Sequence, residues 1–314
     1  TKLRTFIANE YLPATRTSMG MDKLPNGAAW YAFNARRSTS TAMTPAQIHQ
    51  IGLDEVARIH GQIRQVMKEV KFRGNMQKFF RFMQQDPRFQ FGDEDALLAY
   101  YRGLESKVMA RVPQQFSLLP KAGFEIRPVE PYRAQSAAGG SYMSPSEDGS
   151  RPGIFYVNTF DLPTRKRWEA ESLFLHEAIP GHHFQLALQQ ELTDLPAFRR
   201  FGGETAYIEG WGLYAESLGR ALGLYTDPYD DFGRLRAGCG TQRLATRLAA
   251  RAVHRFRDAS HDGGEHGTGE RCAGHERRHR DDGTFSGQRP CAGETKPGAG
   301  AGDERDAPGK TEIH

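Results

Sequence analysis

The chain has 314 residues, with 42 basic and 38 acidic side chains and a formal net charge of +4. Because acidic and basic side chains are nearly equal in number, the composition does not favour a general role in binding nucleic acid or membrane surfaces. No stretch approaches the roughly 20 apolar residues that a membrane-spanning helix needs, so we expect no membrane span. The sequence does not indicate an oligomeric state.

Helices dominate the first half of the sequence. Thr44 is followed by Pro45 and Gln47, which predicts a helix that begins with a capping box. Isoleucine and valine then recur at helical spacing as far as Val70, so we expect this helix to be amphipathic and packed on one face. Two further helices are predicted, one over residues 75–83 and one that is capped by Asp93.

The middle of the sequence turns to β-structure. Residues 124–129 alternate between apolar and polar side chains, and Pro128 indicates an edge strand. Residues 137–153 are rich in Gly, Ser and Pro and are expected to form a loop. Residues 153–158 form the best strand, and its exposed edge could pair with an extended peptide, the alternative being an ordinary sheet strand. The sequence therefore predicts a mainly α fold with a small β-sheet (α+β).

The stretch from His176 to His183 carries the chemistry. It contains three histidines and Glu177 within eight residues, directly after the apolar run 173–175. Zinc peptidases use the pattern H-E-x-x-H, in which two histidines one helical turn apart hold the metal and the glutamate handles a proton. Here the second histidine comes two positions late. We interpret the stretch as a zinc site with a two-residue insertion and Glu177 as its general base.

Pro180 and Gly181 account for the insertion. Proline removes a helical N–H and disturbs the preceding turn, and glycine accepts most backbone angles. We therefore expect a bulge that brings His182 back to the place of an i+4 histidine. His183 is the alternative ligand, because at i+7 it shares a helix face with His176. That pair is a stretched fit, since seven residues separate their Cα atoms by roughly 10 Å.

A catalytic zinc site needs a third protein ligand and an open position. The best candidate is Glu209, which lies on a predicted helix beside Tyr207 and Trp211. A carboxylate in such aromatic surroundings needs a partner, and a metal ion is one. Glu216, seven residues further on the same face, is the second candidate, and Glu204 is the third.

Other side chains are candidates for roles around the metal. Tyr142 and Tyr156 are the nearest phenols in the sequence that could donate to an oxyanion. Arg151 and Asn158 are candidates for substrate binding, since a guanidinium can bind a substrate carboxylate through two hydrogen bonds. The alternative for Arg151 is that it anchors its own loop.

The C-terminal segment is a different kind of sequence. Between residues 257 and 314 the only large apolar side chains are Phe285 and Ile313, and all three cysteines of the chain lie beyond residue 238. Such a segment cannot bury enough surface to offset its ordering entropy. We therefore expect this segment to be a low-complexity, disordered tail. The family resemblance described next implies the boundary: a partial zinc-metallopeptidase-like domain over residues 1–236 and the tail over residues 237–314.

Two motifs carry a family resemblance. H-E-A-I-P-G-H-H-F-Q from His176 and Y-I-E-G-W-G-L-Y-A-E from Tyr207 resemble the bacterial family called domain of unknown function 885, over roughly residues 1–236. That family is grouped with the zinc peptidases of the thermolysin-like superfamily. The resemblance implies a helical, zincin-like metallopeptidase fold, with His176, His182 and Glu209 as zinc ligands and Glu177 as general base.

The resemblance stops near Ala237, where the family pattern continues into long amphipathic helices. We hypothesise that the sequence beyond this point is divergent or translated out of frame. Thr1 is not a start residue, and we expect an N-terminal part to be missing. The compartment is therefore open: a periplasmic or lipoprotein-anchored location and a cytoplasmic one are all compatible with the sequence.

The expected function is zinc-dependent hydrolysis of peptide bonds, of the oligopeptidase or carboxypeptidase kind, with a peptide as substrate. Zinc and Glu177 would together activate the attacking water. Two alternatives are an inactive remnant of the fold that binds zinc without turnover, and a zinc hydrolase that acts on another amide or ester.

Overall fold

The structure, a computed structural model, describes residues 1–18 and 20–237. It is mostly helical, with a small three-stranded sheet. The helices are α1 Lys2–Phe6, α2 Leu12–Ala14, α3 Gly27–Thr39, α4 Pro45–Glu69, α5 Met76–Gln85, α6 Glu94–Met109, α7 Pro131–Ala134, α8 Arg167–Glu177, α9 His182–Glu191, α10 Ala197–Arg200, α11 Thr205–Ser217 and α12 Pro228–Ala237, with a π-helical turn at Ile7–Tyr11. The strands are β1 Phe124–Pro128, β2 Gly140–Met143 and β3 Gly153–Val157.

The long helix α4 begins as its sequence predicts. The Thr44 hydroxyl accepts from the backbone N–H of Gln47 at 3.3 Å, and the Gln47 side chain accepts from the backbone N–H of Thr44 at 2.8 Å. These two bonds satisfy donors that a helix start leaves without partners. The predicted apolar face buries Ile59, Ile63 and Val66.

The sheet corrects two expectations from the sequence. β3 is its central strand, paired in parallel with β1 and antiparallel with β2, and every residue of β3 is buried. The expected exposed edge on residues 153–158 is therefore wrong. The loop prediction for residues 137–153 is wrong over Gly140–Met143, because pairing with β3 imposes a strand that local composition does not favour.

Alternation along β3 assigns its side chains to opposite faces of the sheet. Phe155 and Val157 belong to the main core together with Phe174 and Leu175 of α8. Ile154 and Tyr156 lie in a small cluster on the other face. One face of β3 therefore supports α8, and the other faces away from it.

Helix α8 lies at the centre of the packing, in contact with β2, α6, α9, α11 and α12. Its Trp168 is fully buried and donates its indole N–H to the carbonyl of Met83 at 2.9 Å. Helix α12 crosses here so closely that a Cβ on Gly233 would lie 1.5 Å from the carbonyl oxygen of Trp168. The contact between α8 and α12 therefore requires glycine at position 233.

Replacement of Gly233 by alanine should lower the free energy of unfolding by about 1–3 kcal/mol, because the added methyl group must push the two helices apart. The matched control is Gly61→Ala in α4, where a Cβ would meet nothing within 4 Å. That variant should gain up to about 1 kcal/mol from helix propensity. Denaturant unfolding of both variants is the measurement, and equal effects would contradict the close crossing.

Along the described part of the chain, none of the helices is both long and apolar enough to span a bilayer. The predicted disordered tail lies outside the described residues, apart from Ala237, which ends α12.

Candidate metal centre

The histidine motif forms two helices and not one bulged helix. α8 ends at Glu177, residues 178–181 form a link, and α9 begins at His182. His176 in the last turn of α8 and His182 at the start of α9 bring their rings to 4.6 Å between centroids, with an interplanar angle of 81°. The two rings therefore come together as expected, but a break between two helices brings them together and not the expected bulge.

Gly181 is required by space. A Cβ there would lie 1.9 Å from the carbonyl oxygen of His176 and 2.2 Å from that of Leu175. The link therefore folds back over the C-terminal carbonyls of α8, and only a residue without a side chain allows that approach.

Helix α11 presents two carboxylates to His176. A carboxylate oxygen of Glu209 lies 3.4 Å from His176 Nε2, and one of Glu216 lies 2.9 Å from His176 Nδ1. These glutamates are seven residues apart, so they lie on one face of the helix about two turns apart. Both ring nitrogens of His176 are therefore engaged by the same helix.

Gly212 makes room for the His176 ring between the two carboxylates. A Cβ at this position would lie 2.6–2.9 Å from three atoms of the imidazole. This role is not among the sequence predictions, although a glycine between Glu209 and Glu216 on the same helix face is the pattern that indicates it.

His176, His182 and Glu209 fit a metal ion. One donor atom from each lies within 4.8 Å of the other two, and His182 Nε2 is 3.9 Å from Glu209 Oε1. With bonds of about 2.0–2.2 Å, the donors of a tetrahedral zinc lie roughly 3.3–3.6 Å apart. His182 Nδ1 is buried without a hydrogen-bond partner among the described residues. Two imidazoles and one carboxylate are also a donor set of catalytic zinc sites.

The electrostatics of the cluster favour positive charge at its centre. Burial lowers the pKa of His176, but hydrogen bonds to Glu209 and Glu216 outweigh burial and raise that pKa to about 10. The hydrogen bond from His176 lowers the pKa of Glu209. Burial, with His176 beside it, lowers the pKa of His182 to about 4. In the metal-free cluster a proton on His176 is thus the cation between two carboxylates.

Glu177 lines a cavity of about 580 Å³ together with His176, Glu216 and Gly140 of β2. Burial raises the pKa of Glu177 to about 7; among smaller effects, Glu209 and Glu216 raise it, whereas the His176 charge and the backbone N–H of Tyr142 lower it. A carboxylate with such a pKa can accept a proton near neutral pH.

His183, the alternative ligand, points elsewhere. Its Nδ1 is 2.9 Å from the Tyr142 hydroxyl, and its Nε2 donates to the carbonyl of Ala122 at 3.1 Å. His183 is 1% exposed and ties α9 to β2 and to the segment before β1. Because both ring nitrogens are occupied outside the cluster, His183 is not placed as a ligand, and the Tyr142 hydroxyl is not free for an oxyanion. Glu204, the third carboxylate candidate, is exposed before α11 and outside the cluster.

Tyr156, the other candidate oxyanion donor, does not line the cavity beside Glu177. It lies on the face of the sheet that is opposite α8, with the Arg133 guanidinium 4.7 Å from its ring centroid. Tyr156 is near the motif in sequence but not in space, because alternation along β3 turns every second side chain away from the site.

Arg151 and Asn158 donate hydrogen bonds to nearby backbone carbonyls. Arg151 donates to the carbonyls of Ser144 and Pro152, and it lines a second cavity of about 470 Å³ that does not include His176 or Glu177. The amide of Asn158, 1% exposed, donates to the carbonyls of Ala134 and Ala137. The contacts support the alternative interpretation of Arg151 as a loop anchor. Neither side chain lines the cavity beside His176 and Glu177.

Replacement of Tyr142 by phenylalanine should cost about 1–3 kcal/mol of unfolding free energy, because it leaves Nδ1 of buried His183 without its partner. Tyr132→Phe is the control, since Tyr132 is 85% exposed, and it should be neutral. Thermal or denaturant unfolding distinguishes them; a neutral Tyr142→Phe would show that the hydroxyl does not support His183.

The model of the family described as "Bacterial protein of unknown function (DUF885)" matches residues 1–249, beyond the boundary at 236 that the motifs indicated. The fold is similar to the crystal structure of "the putative lipoprotein from Colwellia psychrerythraea", with a TM-score of 0.70 and 34% sequence identity. This match covers 77% of the present chain and 42% of the other, so the present chain spans less than half of that protein. No curated protein matches the chain.

Proposed function

This chain belongs to the bacterial DUF885 family, and we propose that it is a zinc-dependent peptidase with His176, His182 and Glu209 as ligands. The observation that carries the proposal is the convergence of these three side chains, whose donor atoms lie within 4.8 Å of one another. Glu177 follows His176 in the chain, and these two residues line the same cavity. The mostly helical fold with a small sheet against α8 is in keeping with a zincin-like fold, which forms part of the proposal.

A zinc ion held there would polarise the scissile carbonyl and lower the pKa of a water molecule to around 7. Glu177 takes a proton from the attacking water and passes it to the nitrogen of the leaving amine. Peptide and water thus give one carboxylic acid and one amine. Glu177 is suited to both transfers because its pKa of about 7 lets it accept and release a proton near neutrality.

Glu216 supports the ligand set without belonging to it. Its carboxylate accepts from His176 Nδ1 at 2.9 Å and is 5% exposed. Histidine ligands usually donate their second N–H to a carboxylate or carbonyl, which fixes the ring orientation and leaves the other nitrogen for the metal. This contact leaves Nε2 of His176 as the nitrogen that would bind the ion.

We propose that strand β2 receives the substrate. Since β1 and β2 occupy both sides of β3, the sheet edge next to the cavity belongs to β2, whose Gly140 lines the wall beside Glu177. An extended peptide that pairs with this edge is held by main-chain hydrogen bonds. The substrate class that follows is an extended peptide recognised with little dependence on side chains.

We expect one zinc per chain, bound by the three proposed ligands. His176→Ala, His182→Ala and Glu209→Ala should each abolish stoichiometric zinc after purification, because two ligands hold the ion far more weakly than three. His183→Asn, which keeps an acceptor for Tyr142, should retain zinc. Elemental analysis decides, and a His182→Ala protein that keeps zinc while His183→Asn loses it would overturn the ligand assignment.

We expect Glu177→Gln to retain zinc and to reduce peptide hydrolysis by roughly a hundredfold or more, since an amide cannot take the proton of water. The matched control is Glu169→Gln, which changes another carboxyl group in the same cavity and should retain hydrolysis. A peptide-library digest with and without chelator measures the activity. If no peptide is cleaved by the zinc-loaded parent chain, the peptidase proposal fails, and a Glu177→Gln protein without zinc would refute the general-base role.

A further inference from the structure

The three proposed ligands lie on three segments that a short link must keep in register. His176 ends α8, His182 begins α9, and Glu209 belongs to α11. The link over residues 178–181 is held at both ends by backbone bonds, from the Ala178 N–H to Phe174 at 2.9 Å and from the Gln185 N–H to Gly181 at 3.0 Å. Its middle contains Pro180, which has no N–H to donate.

A side chain of α11 reaches the middle of that link. The indole N–H of Trp211 donates to the carbonyl of Pro180 at 2.6 Å. Trp211 follows Glu209 by two positions, so at about 100° per residue it projects roughly 200° around the helix from Glu209. One side of α11 thus offers the carboxylates to His176, and the other side fixes the backbone between the two histidines.

The indole ring is itself held in place. Its centroid lies 6.3 Å from that of Phe116 and 5.7 Å from that of Tyr214, and Phe116 packs on Phe184 of α9 at 4.8 Å. A ring with aromatic neighbours at such short distances has few rotamers available. Trp211 therefore defines a distance between α11 and the link, in addition to contributing apolar surface.

We propose that Trp211 is a positioning residue of the metal centre: its bond to Pro180 sets the separation of His182 from His176 and Glu209. The inference rests on the proposed zinc function. Loss of partners that orient ligands typically lowers metal affinity 10- to 100-fold, and here the bond acts on the backbone that joins both histidine ligands.

The chain supplies a matched pair of variants for the test. Trp211→Phe and Trp168→Phe each remove an indole N–H that donates to a backbone carbonyl, at 2.6 Å and 2.9 Å respectively. Trp168 is the more buried, at 0% exposure, and lies in the separate core with Phe79 and Phe232. A zinc effect that came from general destabilisation would therefore be at least as large in Trp168→Phe.

Two measurements on the whole chain are needed. Zinc affinity is measured by competition with a chelator, with zinc alone as the probe. Hydrogen exchange of the Ala178 and Gln185 amides is measured in the metal-free protein, because these two N–H groups report on the ends of the link. We expect Trp211→Phe to bind zinc about tenfold or more weakly. We also expect the Ala178 and Gln185 amides to exchange several-fold faster, which is about the effect of losing one hydrogen bond. Trp168→Phe should melt at lower temperature with both quantities unchanged.

Unchanged zinc affinity in Trp211→Phe, or an equal loss in Trp168→Phe, would overturn the inference. So would unchanged exchange at Ala178 and Gln185. A wild-type chain that binds no zinc would sink the proposed metal function instead, and the exchange result would then still decide whether Trp211 fixes the link.

Discussion

The site is organised by the burial of one imidazole between two carboxylates. His176 is 6% exposed, and its two nitrogens contact Glu209 and Glu216. Buried charges are costly unless they are paired and hydrogen-bonded. This arrangement satisfies both nitrogens from one helix, so the position of α11 against α8 is dictated by polar contacts as well as by packing. Gly212 is the condition for it, because any side chain there would occupy the space of the ring.

The remaining elements make that contact rigid. Helix α8 is supported by the Phe155 face of the sheet and, further along, by the close crossing of α12 at Gly233. His183 ties the start of α9 to β2 and to Ala122. Because the proposed metal ligands lie on helices that are packed from several directions, the cluster would be preorganised for an ion. Such preorganisation is what a site needs if it is to hold reacting groups within a fraction of an ångström.

Sequence reasoning located the cluster because spacing is a local property. His182 comes two positions later than in H-E-x-x-H, and the intervening Pro180 and Gly181 predict a backbone change that brings the two rings together. The seven-residue spacing of Glu209 and Glu216 predicts that they share one helix face. How the rings meet was not predictable, since a bulge and a helix break produce similar results over six residues. β2 could not be recognised at all, because its strand depends on pairing with β3 and not on its own Gly-Ser-Tyr-Met sequence.

Three further candidates from the sequence, Tyr156, Arg151 and Asn158, are not brought to the cluster. Strand alternation and hydrogen bonds to nearby carbonyls position their side chains. Buried backbone carbonyls must find donors, and polar side chains beside a glycine-rich loop are the nearest source of them. A polar residue in such a segment therefore has a structural use that competes with any functional one.

The charge balance of the cluster explains why these elements point to a cation. Glu177, Glu209 and Glu216 are close enough to His176 to act on its charge or on one another's, and without an ion a proton on His176 opposes these carboxylates. Burial raises the pKa of Glu177, and the like charges of Glu209 and Glu216 raise it further. A divalent cation offers more positive charge than that proton and can contact the imidazole nitrogens and Glu209 at once. Glu216 keeps its own place because it binds the nitrogen that faces away from the cluster. The two carboxylates of α11 can thus differ in role although they contact the same ring.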